Sequence, residues 1–113
     1  LETLVELLFW DGCPSHLRAL AELRSALDAL GRSEIEVTST EITTEAQAAE
    51  RGFVGSPTVR VGGVDPIAPP AGEPTGLTCR LYRRRDGRAS PTPDPDDLRE
   101  ALARLLPPTT KET

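Results

Sequence analysis

An α/β domain with a four-stranded mixed sheet and helices on both faces, in the order β-α-β-α-β-β-α, is the architecture this sequence predicts. Three observations carry it. The run Leu4–Phe9 is apolar on both faces apart from Glu6, as a central strand covered by helices on either side must be. Leu17, Leu20, Leu23, Leu27 and Leu30 then recur at helical spacing, with charged residues between them. A β-rich segment from Ile35 to Ile42 follows, and strand, helix, strand in succession closes as a parallel crossover.

The first strand breaks at Gly12, and Pro14, which has no N–H to waste at a helix start, predicts a helix from Pro14 to Leu30 that Gly31 stops. Thr44 with Gln47 three residues on is a capping pattern for a short helix through Arg51, closed by Gly52. Phe53 and Val54 plug the core before the turn Gly55-Ser56-Pro57. Thr58–Val61 is a short strand ended by two glycines, and Leu77–Arg83 is the next strand. The proline-rich segment from Val64 to Gly76 between them is long enough for a lid or partner surface, or a tolerated insertion. Asp94 caps a last helix with Pro95 at its start and Leu98, Leu102, Leu105 and Leu106 on its buried side.

At 113 residues the chain holds one domain, residues 1–106, with a flexible C-terminal tail over 107–113. Eighteen acidic against thirteen basic residues give a net charge of −5, which argues against nucleic-acid and anionic-membrane surfaces. The local run Arg80, Arg83, Arg84 and Arg85 reads as the solvated end of an edge strand. No apolar segment is long enough to span a bilayer. Two cysteines without a visible signal peptide favour a reducing, cytoplasmic setting and a functional thiol over a disulfide scaffold. The chain starts at Leu1 and contains no methionine, which leaves a removed N-terminal segment open.

The chemistry gathers at Trp10-Asp11-Gly12-Cys13-Pro14-Ser15-His16. A cysteine at a strand-to-helix corner faces unpaired N–H groups and the positive end of a helix, which favour its thiolate, so Cys13 is expected to be exposed and reactive. His16, one turn on, either relays a proton for that thiol or is an ordinary surface residue. Trp10 either shapes the approach to the thiol or seals the core. The third strand should run antiparallel to the first, so that Pro57 returns beside Cys13, and the Ser56–Pro57 bond is expected to be cis.

Cys13-Pro14-Ser15-His16 after an apolar strand, with Gly55-Ser56-Pro57-Thr58-Val59 downstream, resembles the thioredoxin and glutaredoxin superfamily. More narrowly, the chain is similar to small bacterial thioredoxin-like proteins with a Gly-Cys-Pro turn and a later Gly-Leu-x-Cys-Arg-x-Tyr stretch, here Gly76–Tyr82. The resemblance implies a thioredoxin-like fold and a groove for a substrate's extended backbone, lined by Trp10, Pro14, Ser56, Pro57 and Thr58. It departs at His16, where the superfamily's resolving cysteine would stand.

Cys79 starts a strand that runs back toward the site, and at about 3.3 Å per residue this sets it far from Cys13. A disulfide needs Cα atoms within about 7 Å, so Cys79 reads as a core thiol, with a resolving role as the alternative. The leading functional expectation is therefore a thiol–disulfide oxidoreductase working through Cys13 alone, on a protein or small-molecule disulfide. An external thiol such as glutathione would then serve as reductant and co-substrate, with no other cofactor. The alternatives are soft-metal binding (zinc, copper or mercury) at Cys13 and His16, and a redox-inactive module that adds a partner's strand beside Pro57.

Overall fold

A computed structural model describes residues 4–107, so most of the tail expected at 107–113 lies outside the described residues. The elements are β1 (Val5–Phe9), α1 (His16–Ala29), β2 (Val37–Glu41), α2 (Glu45–Glu50), β3 (Thr58–Val61), β4 (Tyr82–Arg83), β5 (Ala89–Ser90) and α3 (Pro95–Leu105). They form a small α/β domain with a mixed three-stranded sheet in the order β2-β1-β3.

The sheet is built around β1, whose side chains alternate between two separate cores. Val5 and Leu7 face α1 and α3, packing with Leu23, Leu27, Leu98, Leu102, Val59 and Val61. Leu8 faces the other way, onto Ile42, Ala48 and Phe53, beneath α2. Glu6 shares that second face and pairs at 3.4 Å with Arg51, at the end of α2, so the one polar residue of the strand is neutralised rather than stranded. Leu17 departs from the expected stripe: it is 68% exposed, and Ala19, Leu23, Ala26 and Leu27 form the buried face of α1.

Register places the functional end. β1 pairs parallel with β2, Phe9 opposite Glu41, and antiparallel with β3, Leu8 opposite Thr58. The loop before β3 therefore returns beside the turn that follows β1. Both expected caps form: the Thr44 hydroxyl accepts from Gln47 N at 3.0 Å, and the Asp94 carboxylate accepts from Asp96 N at 2.9 Å. Gln47 Oε1 reaches back to the N–H of Thr43 at 2.8 Å, one residue short of a reciprocal bond to the capping residue itself.

A fourth strand of the main sheet is not shown. The segment expected to supply it, Leu77–Arg83, makes one isolated bridge, Cys79 with Ser56, before Tyr82–Arg83 turns away to pair with Ala89–Ser90. The side-chain alternation of that segment is also the reverse of the expected one. Leu81 is 70% exposed, whereas Arg80 is 6% exposed and is no part of a solvated charge run.

Candidate functional site

The turn after β1 is held by its own backbone and by Trp10. Cys13 N donates to Trp10 O at 3.0 Å, and the indole folds over Gly12 so closely that a β-carbon there would stand 2.3 Å from the ring. α1 begins at His16, with Ser15 as its cap and no side-chain cap bond, so Pro14 and Ser15 belong to the turn and Cys13 lies two positions ahead of the cap. The helix end is thus farther from the thiol than the sequence implies, and its field falls off over about one turn.

Cys13 is not exposed. Only 1% of it meets solvent, and its Sγ lies 3.6 Å from the carbonyl oxygen of Ser56. Burial follows from two covers: the loop before β3 on one side, and on the other a segment of chain that sequence spacing had sent elsewhere. The Ser56–Pro57 bond is cis, as expected. Ser56 N donates to Thr78 O and Arg80 N donates to Ser56 O, both at 2.8 Å, which brackets Cys79 directly against Ser56. The backbone groups of Ser56 are therefore already spent on the protein's own chain.

Cys79 is consequently neither a core thiol nor distant from Cys13. It is exposed, both cysteines are free thiols, and they interact. The hydrogen bond to Cys13 is the main cause that holds the Cys79 thiol above its ordinary value, with burial and the charge of Cys13 acting in the same direction.

His16 is turned to other work. Its Nδ1 donates to the backbone carbonyl of Cys13 at 3.0 Å, and its ring stacks on Phe9 with centroids 4.4 Å apart. It fixes the shape of the turn through the backbone, and no bond from the ring to the Cys13 sulfur is seen. For the same reason its Nδ1 is unavailable to a metal shared with Cys13. Among the described residues no three His, Cys, Asp or Glu side chains gather at one point.

Arg80, immediately after Cys79, anchors the covering segment. Its guanidinium contacts Asp65 at 2.7 Å and Thr58 Oγ1 at 3.1 Å, donates to Ile67 O, and lies 4.4 Å over the ring of Tyr82. Tyr82 OH in turn donates to Pro57 O, and burial pushes that phenol well above its ordinary value. One arginine thus ties the start of the 64–76 segment, the strand after Pro57 and the neighbour of Cys79 into one unit. The rest of that segment forms the far wall of a groove of about 660 Å³. Cys79 is in the wall with Ile67, Pro69, Pro70, Pro74 and Tyr82.

Of the residues expected to line a substrate groove, Ser56, Pro57 and Thr58 are buried beneath Thr78–Arg80, while Pro14 is exposed and Trp10 half-buried. Arg80 and Asp65 were not expected at the site; the available signal was the Gly76–Tyr82 stretch, which places an arginine beside the second cysteine. No protein-family model, curated protein or solved structure matches the chain.

Proposed function

We propose that the protein is a thiol–disulfide oxidoreductase with Cys13 at its centre, a domain of the thioredoxin-like kind that the Cys13-Pro14 and Ser56-Pro57 motifs resemble. The observation that carries the reading is the apposition of two free thiols, Cys13 and Cys79, on the single residue Ser56. A pair of sulfurs held together without a bond is a store of two electrons that a substrate disulfide can take up. The substrates that suit it are protein or small-molecule disulfides, with an external thiol as reductant. The test is the reduction of bis(2-hydroxyethyl) disulfide by glutathione. Wild-type protein should accelerate it, and Cys13→Ser should return it to the uncatalysed rate, because a lone exposed thiol at Cys79 reacts no better than the glutathione already present. A wild-type chain that gives no acceleration removes the reading.

The same pair of sulfurs favours one second reading, two-coordinate binding of a soft cation by both thiolates. Titration of the reduced chain with copper(I), with displacement of a thiol-directed dye as readout, separates the two.

A further inference from the structure

Resting on that reading, we infer that Cys79 is the sulfur at which external disulfides and thiols react, and that buried Cys13 then closes an internal Cys13–Cys79 disulfide. The order follows from access. Cys13 is 1% exposed, sealed by Ser56 and by the 78–80 segment, whereas Cys79 is exposed and forms part of the wall of the 660 Å³ groove. The segment bearing Cys79 is not a loose flap: hydrogen bonds to Ser56 on either side and the Arg80 anchors keep it on Cys13. An outside molecule meets Cys79 first, and anything that then happens at Cys79 happens beside Cys13.

The steps balance. The Cys79 sulfur, its proton given up to solvent, attacks a substrate disulfide R–S–S–R′; R–S–S–Cys79 forms and R′–S⁻ leaves. R′–S⁻ takes the proton of the Cys13 thiol, whose sulfur attacks that of Cys79 and expels R–S⁻, which takes up a proton from solvent. The substrate gains two electrons and becomes two thiols, and the two cysteines lose them to form one disulfide. An external thiol reverses the sequence, attacking the accessible Cys79 sulfur and releasing Cys13. Resolution therefore comes from a residue 66 positions away in sequence, not from the helix position held by His16.

The experiment mixes the reduced full chain with oxidised glutathione, quenches aliquots in acid, blocks free thiols, and locates glutathione by peptide mass. Glutathione is expected on Cys79 at early times, then lost as a monomer lighter by two hydrogens accumulates. Cys79→Ser, a change at an exposed position, should take glutathione at Cys13 roughly tenfold or more slowly than the wild type reacts, because the buried sulfur must first be uncovered. That variant decides the matter if the wild-type adduct is too short-lived to trap. An early adduct on Cys13, or a Cys79→Ser chain as fast as wild type, overturns the inference while leaving thiol exchange at Cys13 standing; an adduct that persists on Cys79 beside a free Cys13, or a disulfide-linked dimer, overturns it too. If neither sulfur exchanges in the folded chain, the oxidoreductase reading falls as well.

Discussion

Gly55 and Arg80 touch backbone to backbone: a β-carbon on Gly55 would lie 2.9 Å from Arg80 Cβ and 3.0 Å from its nitrogen. The φ of Gly55 is +145°, where side chains are strained as well. Gly55→Ala should therefore lift the 78–80 segment from Ser56 and destabilise the fold by about 2 kcal/mol or more. Urea unfolding checks the stability, and faster alkylation of Cys13 in the native state checks the uncovering. An alanine chain with wild-type stability and a protected Cys13 would show that the close approach does not hold the cover down.

Arg80 is the second restraint on the same segment. Both partners of its pair with Asp65 are largely buried, with side chains 6% and 17% exposed, so Arg80→Ala leaves a carboxylate and a carbonyl unpaired and should cost about 3 kcal/mol. Arg80→Lys keeps the charge but cannot contact Asp65, Thr58 and Ile67 together, and should recover only part of the loss. Equal stability of the lysine variant and the wild type would refute the role given to the guanidinium fork.

Cys79 and Tyr82 both keep their protons to higher pH when folded than when unfolded. Their contribution to stability is complete below the ordinary thiol range and is lost as pH rises through the raised folded values, since the unfolded chain gives up its protons first. Unfolding midpoints measured from about pH 8 to pH 11 should fall, and Cys79→Ser should remove the early part of that fall. A pH dependence identical in the variant would contradict the hydrogen bond between the thiols.

Closing the Cys13–Cys79 bond cross-links 66 positions of chain, which by loop entropy stabilises the oxidised form by about 4 kcal/mol. Thermal unfolding with and without reductant measures it. A smaller gain would mean that the closed bond strains the segment holding Cys79; a lower melting point on oxidation would rule out a pair preset for bonding.

Much of the frame was legible because it is local. The apolar run Val5–Phe9, the caps at Thr44 and Asp94, and the return of Ser56-Pro57 to the end of β1 all follow from short-range patterns. The site's second half was not legible, for one physical reason. Cys79 reads as a core thiol and Arg80 as part of a solvated run, and a one-residue change of face exchanges the two, leaving Cys79 and Leu81 outward and Arg80 inward. The inversion is stabilised by Asp65, Thr58 and Ile67, polar partners from distant parts of the chain that no local periodicity reveals. With Arg80 turned in, Cys79 comes to the surface beside Ser56 rather than starting a strand far from it. The burial of Cys13 follows from the same event.

Trp10 is the only tryptophan, and it lies over the turn that carries Cys13. Indole emission is quenched by nearby sulfur, more strongly by a disulfide than by a thiol. The protein therefore carries its own optical gauge: intrinsic fluorescence at this one ring should change in step with the electron count of the two cysteines, with no label attached.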